Sequence, residues 1–279
     1  MPGVLLIEDS RTFATAIKQT IESTLDLPVD WASSYLEAAQ KVTDCAASYF
    51  ISLVDLHLPD ALQGEVLDLV LSKNIPPIVL TGRFGDEIRE NIWSKDVIDY
   101  VLKDRPHCVD YVTSLVQRIL RNQAIKVLVV EDSVFSRKHL CQLLRVHQYQ
   151  VFEASHAAEA LQLLETVADI RLAIVDYYMP QTDGIELTRK IRMLYPKEKL
   201  AIIGISAQGN SLMSVQFIKN GANDFILKPY VNEEFYCRIN QNMDMLESLE
   251  QMQSASTKDF LTDLYNRRYL FESGSLLHA

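Results

Sequence analysis

The sequence predicts an α/β fold: two doubly wound parallel-sheet domains in tandem, followed by a C-terminal helical extension. Three observations carry that reading. The first is an internal repeat, in which Val4-Leu-Leu-Ile-Glu-Asp-Ser10 returns as Val127-Leu-Val-Val-Glu-Asp-Ser133. The offset is 123 residues there, 121 between Asp55 and Asp176, and 125 between Lys103 and Lys228. The second is an alternation, within each copy, of short apolar runs with amphipathic stretches of helical length. The third is that the runs are nearly continuous in their apolar character, as expected of strands covered by helices on both faces.

In the first copy the strand candidates are Val4–Ile7, Val29–Ala32, Phe50–Asp55, Ile78–Thr81 and Asp99–Leu102. In the second they are Lys126–Val130, Gln150–Ala154, Leu172–Asp176, Ala201–Ser206 and Asp224–Leu227. Between them lie segments such as 135–147, where Leu140, Leu143, Leu144 and His147 recur at helical spacing. Five βα units per copy place functional residues at the C-terminal strand ends, beside the point where the strand order reverses. Asp9, Asp55, Thr81 and Lys103 stand at or just after strand ends in copy one, as do Asp132, Asp176, Ser206 and Lys228 in copy two.

Composition narrows the function classes. A 48% hydrophobic, 23% charged chain of 279 residues is long enough for two domains, each with its own core. A formal charge of −10 gives no general attraction to nucleic acid or to an anionic membrane, so neither is expected as a partner. No apolar run approaches the roughly 18 residues of a membrane span, and a cytoplasmic location is expected. Cys45, Cys108, Cys141 and Cys237 are far apart, which argues against zinc or a disulfide framework and for buried small hydrophobes.

Three carboxylates converging from two strand ends repel strongly, by about 4 kcal/mol for two unit charges about 4 Å apart at an effective dielectric of about 20. A cation is therefore required, and hard oxygen ligands without His or Cys favour Mg²⁺. A lysine opposite the cluster and a hydroxyl on the fourth strand supply the charge and the hydrogen-bond donor that a phosphoryl group needs, leaving the central carboxylate as nucleophile. Each piece alone has a blander reading. An acidic pair after a strand is often part of a helix cap, which Ser10 or Ser133 could provide, and a lone lysine is usually a solvated charge. His57, His139 and His156 lack ligand spacing and read as surface or satisfied residues.

The joint pattern resembles the receiver domain of two-component response regulators, a flavodoxin-like fold. Copy two carries Glu131-Asp132, Asp176-Tyr-Tyr-Met-Pro180 with Asp183-Gly184, Ser206-Ala207 and Lys228-Pro229. Copy one carries Glu8-Asp9, Asp55, Pro59, Thr81 and Lys103, with two departures. The loop from Asp55 to Gly64 is one residue longer than its counterpart, and Lys103 is followed by Asp104 where the family usually has proline, which leaves the lysine's aim less constrained.

The resemblance implies Asp55 and Asp176 as phosphoacceptors, with Thr81, Lys103, Ser206 and Lys228 acting on the phosphoryl group. It implies Mg²⁺ held by Glu8, Asp9, Asp55 and the His57 backbone, and by Glu131, Asp132, Asp176 and the Tyr178 backbone. Tyr100 and Phe225 stand at the family's switch aromatic; plain sheet-edge packing is the other reading of both rings.

From Asn232 to about Ser254 there is no Gly or Pro, and Phe235, Ile239, Leu246 and Leu249 lie near a and d spacing around Asn242. Either a coiled-coil stalk or an ordinary amphipathic terminal helix fits. Beyond it, Asp259-Phe-Leu-Thr-Asp-Leu-Tyr-Asn-Arg-Arg268 resembles the opening of a GGDEF domain, the diguanylate cyclase family that makes cyclic di-GMP. No GG(D/E)EF signature precedes Ala279, so that domain is expected to be cut short or lost.

The expected organisation is receiver one at 1–122, receiver two at 123–240, and a helical linker with the start of a GGDEF-like domain at 241–279. The expected function is phosphoryl acceptance from a histidine kinase or phosphotransfer protein, controlling a cyclase output through homodimerisation. Beyond Mg²⁺-dependent self-phosphorylation and dephosphorylation no catalysis is expected of the sequence given, and a full-length parent is expected to be a diguanylate cyclase. The alternative makes one receiver, the first by its departures, a non-phosphorylated adaptor or dimerisation domain. A transcription-factor output is disfavoured by the lack of a basic helix-turn-helix segment.

Overall fold

The computed structural model describes residues 3–62, 64–82, 89, 92–93, 95–207 and 211–257. The GGDEF-like motif at 259–268 lies outside the described residues. The chain divides into two compact units, Met1–Ile125 with Gln142–Gln150, and Lys126–Cys141 with Val151–Ala279. Each is built on one five-stranded parallel sheet.

In the first unit the order of elements is β1 (Gly3–Ile7), α1 (Arg11–Leu25), β2 (Val29–Ala32), α2 (Tyr35–Cys45), β3 (Tyr49–Asp55), α3 (Glu65–Ser72), β4 (Pro77–Thr81), β5 (Asp99–Leu102) and α4 (Cys108–Asn122). The sheet order is β2-β1-β3-β4-β5. The second sheet contains β6 (Lys126–Val130), β7 (Gln150–Ala154), β8 (Ile170–Asp176), β9 (Ala201–Ser206) and β10 (Asp224–Leu227) in the same spatial arrangement, β7-β6-β8-β9-β10. Its helices are α5 (Val134–Val146), α6 (Ala157–Thr166), α7 (Gly184–Leu194), α8 (Ser211–Lys219) and α9 (Asn232–Thr257).

Six of the ten strands match the ranges expected from the sequence; the other four begin one or two residues earlier. The central strands β1, β3, β4, β8 and β9 are buried along almost their whole length, which is why they read as continuous apolar runs. The edge strands differ. β2, β5, β7 and β10 have partly exposed residues because each has a neighbour on one side only. Leu140, Leu143, Leu144 and His147 are all buried, as their helical spacing requires.

Helix starts repeat between the units with changed chemistry. Ser34 Oγ accepts from Glu37 N at the start of α2, while the Glu37 carboxylate reaches back to Ser33 N. At α6 His156 Nδ1 takes the serine's role and accepts from Glu159 N, with Glu159 returning to Ser155 N. Ser133 Oγ accepts from Ser136 N at 3.4 Å, as a cap should, but Ser10 makes no side-chain cap bond. Asp183 caps α7 by accepting from Glu186 N at 2.8 Å. Asp183→Ala is therefore expected to lower the second unit's stability by about 1 kcal/mol in chemical denaturation.

The structure corrects two sequence expectations. Cys45 and Cys237 are exposed, and only Cys108 and Cys141 are buried, since the first two sit on outward faces of their helices. The terminal helix α9 is not a free stalk along most of its length. Phe235, Ile239, Asn242, Met243 and Leu246 are buried, and Glu250 pairs with Arg171 at 2.6 Å. The a and d spacing serves the unit's own core, because a helix docked on a sheet shows its partner the same stripe as one in a coiled coil. Among the described residues no helix is long and apolar enough to cross a membrane.

Candidate functional site

The register of the central strands assembles both sites. Ile7 lies opposite Val54, Asp55 opposite Leu80, and Thr81 opposite Leu102, so the residues that end or follow these strands share one edge. The second unit repeats this, with Val130 opposite Val175, Asp176 opposite Ile205, and Ser206 opposite Leu227. The fifth strand passes on through a backbone bond from Lys103 N to Thr81 O (2.9 Å), matched by Lys228 N to Ser206 O (2.8 Å).

The lysine is thereby aimed at the carboxylates. Lys103 Nζ lies 2.7 Å from Glu8 Oε2 and 2.5 Å from Asp55 Oδ2. Lys228 Nζ lies 2.6 Å from Glu131 Oε2 and 2.8 Å from Asp176 Oδ1. The looser aim expected of Lys103 is thus not observed: Asp104 in place of proline leaves both contacts intact. Lys103 Nζ also sits 5.5 Å from the centre of the Phe13 ring.

Each acidic triad is compact. Glu8, Asp9 and Asp55 offer oxygens within 4.8 Å of one another, as do Glu131, Asp132 and Asp176. In both, the glutamate and the central aspartate are buried and the middle aspartate is exposed. Loop amides hold the carboxylates: Ser10 N donates to Glu8 and Ser133 N to Glu131, each at 3.2 Å. His57 N donates to Asp55 at 3.0 Å and Tyr178 N to Asp176 at 2.8 Å, which places both backbone positions at the cluster.

The electrostatics are those of two anions sharing one cation. Burial pushes the Glu131 carboxyl above its usual range; Lys228 opposes the rise and Asp176 adds to it. Glu8 behaves alike, with Lys103 opposing and Asp55 adding. Burial works against the charge of Lys228, but Asp176 and Glu131 outweigh it, so its pKa moves up and the ammonium stays charged. The site also includes Tyr230, whose hydroxyl is pushed up by burial and further by Glu131 and Asp176.

Thr81 and Ser206 are buried beside their aspartates. Tyr100 and Phe225 are half-buried; Tyr100 meets Trp93 edge-on at 6.2 Å, and Phe225 rests on Phe217 at 5.5 Å. Phe217, fully buried, also contacts Tyr177 at 6.1 Å.

Comparison with known proteins agrees with this geometry. The family model for the response regulator receiver domain matches residues 127–240. The "Chemotaxis protein CheY homolog" of Campylobacter jejuni is 35% identical over 107 residues, which is 38% of this chain and 82% of that protein. The chain belongs to the response regulator receiver family. A second relative, "Chemotaxis protein CheY1" of Helicobacter pylori, is 34% identical over 107 residues, 38% of this chain and 86% of that protein. Among solved structures, a two-component system response regulator/GGDEF domain protein is 41% identical with a TM-score of 0.80, covering 88% of this chain and all of that one. Of the residues expected at the second site, Glu131, Asp132, Asp176, Lys228 and the Tyr178 backbone are brought together, while Phe225 packs on Phe217; in the first unit Glu8, Asp9, Asp55, Lys103 and the His57 backbone come together in the same way.

Two site residues were not anticipated from the sequence. Trp31 Nε1 donates to Glu8 O at 2.7 Å, and the Arg137 guanidinium donates to Glu131 O at 2.6 Å. Both bond a backbone carbonyl, a partner that no side-chain pattern displays.

Proposed function

We propose that both units are receivers, at 1–122 and 123–240, that accept a phosphoryl group on Asp55 and Asp176 from a histidine kinase or phosphotransfer protein. The observation that carries this is the doubled constellation: an acidic triad with its central aspartate held by a half-buried lysine, beside a buried hydroxyl. A carboxylate oxygen attacks phosphorus, the bond to the donor breaks with its electron pair leaving on the donor, and an acyl phosphate results. Lys103 or Lys228 balances the charge on the phosphoryl oxygens, and Thr81 or Ser206 donates to one of them.

The donor sets fit Mg²⁺. They are all hard oxygens, one carboxylate in each is open to solvent, and no His or Cys intrudes. Glu8, Asp9, Asp55 and the His57 backbone would hold one ion, and Glu131, Asp132, Asp176 and the Tyr178 backbone the other. When bound, the ion screens the attacking carboxylate and the incoming phosphoryl charge from each other.

Intact-mass measurement after incubation with acetyl phosphate and Mg²⁺ tests the assignment. Two added phosphoryl groups per chain are expected. A single addition, mapped to Asp176, would instead support the first unit as a non-phosphorylated adaptor or dimerisation domain. No addition would refute the receiver chemistry altogether.

The output we infer is a C-terminal diguanylate cyclase controlled by dimerisation in the cytoplasm, with residues 241–279 as the linker and opening of that domain. The support is the motif at 259–268 and the likeness to a response regulator/GGDEF domain protein. Ser206 and Phe225 would couple the site to that output. The face beyond Phe225 carries exposed Leu212, Val215, Ile218, Leu227 and Val231, a surface suited to a second copy. Phe235 and Ile239, being buried, do not take part directly. Beryllofluoride is expected to strengthen self-association in sedimentation, and Ser206→Ala to permit phosphorylation without that gain. Equal association with and without the mimic would rule this route out.

A further inference from the structure

The backbone at the two acidic loops is held at one atom by two unrelated side chains. In each unit the first acidic residue makes the last rung of the ladder, Glu8 N to Ala32 O at 3.0 Å and Glu131 N to Ala154 O at 3.1 Å. The next carbonyl, that of the same glutamate, has run out of strand to pair with. Left bare beside a buried carboxylate it would cost the desolvation of a peptide group. In the first unit Trp31 Nε1 fills the need from β2. In the second, Arg137 reaches back from one turn into α5 to Glu131 O, and to Asp132 O at 3.3 Å, while its Nε stands 3.7 Å from Glu153 Oε2.

The exchange is paired. Ala14 and Arg137 occupy the same helix position, since Ala14 N bonds Ser10 O and Arg137 N bonds Ser133 O, both at 2.9 Å. Trp31 and Glu153 each precede the alanine that closes the ladder. Where the helix carries a buried alanine the strand supplies the donor; where the strand carries a carboxylate the helix supplies it. Compensation at two positions toward one carbonyl indicates that the bond is required and the side chain making it is not. The fixed peptide leads directly into Asp9 or Asp132, the exposed carboxylate of each triad.

We infer that Trp31 and Arg137 are positioning residues for metal binding, each setting the orientation of the middle aspartate through the preceding carbonyl. The inference rests on the Mg²⁺ reading of the triads. It predicts effects confined to one unit. Outer partners of this kind cost about tenfold or more in metal affinity when removed.

The test is a Mg²⁺ titration of the full chain followed at the backbone amide signals of Asp9 and Asp132, with the metal-free melting temperature recorded alongside. Arg137→Met keeps the apolar stem and removes the donors; it should raise the midpoint at Asp132 about tenfold and leave Asp9 alone. Arg137→Lys, retaining one donor, should recover most of the loss. Trp31→Phe should raise the midpoint at Asp9 and leave Asp132 alone. Midpoints that stay put in both variants while the unmodified chain responds would overturn the inference, whatever the melting temperature does. Absence of any Mg²⁺ response in the unmodified chain would overturn the metal reading itself, and this inference with it.

Discussion

Asp176→Asn is expected to abolish phosphoryl transfer to the second unit while that unit stays folded. The amide keeps the shape of the side chain but offers no anionic oxygen, so no acyl phosphate can form. Stability is the harder quantity, because Asp176 is buried and bonded to Lys228. Removing one partner of an isolated buried ion pair costs about 3–5 kcal/mol, since a charge is left stranded. Here Lys228 keeps Glu131 at 2.6 Å, and Glu131 loses a neighbour whose charge was adding to its raised pKa. Lost attraction and lost repulsion then largely cancel, and a net change within about 1 kcal/mol is expected. The measurement is intact mass after acetyl phosphate with Mg²⁺, paired with urea denaturation. Undiminished label mapped to the second unit would contradict the assignment of Asp176, and unfolding by more than about 3 kcal/mol would contradict the shared-cation account.

Much of this site is legible in the amino-acid sequence alone. An apolar run ending in a carboxylate, a hydroxyl or a lysine, twice over and at similar offsets, leaves few folds that put those ends elsewhere than one sheet edge. Strand positions followed because buried central strands are apolar on both faces. What stayed hidden shares a cause: it depends on partners that leave no mark in the side-chain pattern. Trp31 and Arg137 bond carbonyls. The two exposed cysteines depend on which way a helix faces. Nothing in the Ser10 and Ser133 motifs tells why only one serine caps its helix.

The terminal helix shows a different limit. Phe235, Ile239 and Leu246 fit a stalk and a docked helix equally, because period alone does not name the surface that the stripe meets. The burial of Met243 and Asn242 and the Arg171–Glu250 pair decide for docking over most of α9. Lys103 errs in the other direction. The missing proline suggested a lysine less well aimed, yet a strand-end backbone bond to Thr81 and two carboxylates suffice to hold it.

Gly184→Ala is expected to have the largest effect on stability of any single methyl added to the second unit. Gly184 opens α7, and a Cβ there would lie 2.2 Å from the backbone oxygen of Asp176 and 3.1 Å from the Phe217 ring. The close approach is fixed by the chain itself, since Gly184 N donates to Tyr177 O at 3.0 Å and Thr188 Oγ1 donates to Gly184 O at 2.7 Å. At Gly204 the obstacle is a side chain, the Phe217 ring, at 2.5 Å. At Gly184 it is the peptide of Asp176, the proposed phosphoacceptor, and relief requires either that peptide or the start of the helix to move. Overpacking of this kind costs about 3 kcal/mol, the upper end of the usual range, because backbone yields less than a side chain does. The substitution should therefore lower stability and slow phosphorylation of Asp176 together, while Asp55 is labelled at its normal rate. Gly64, the counterpart in the first unit, has among the described residues only Leu56 nearby at 3.7 Å, but its φ of +81° opposes any side chain. Gly64→Ala should cost about 1–2 kcal/mol through backbone strain alone and leave Asp55 competent. Urea denaturation and site-mapped phosphorylation of both variants separate the two mechanisms. Equal labelling of Asp176 in Gly184→Ala and the unmodified chain would show that the helix start, and not the acceptor peptide, had given way.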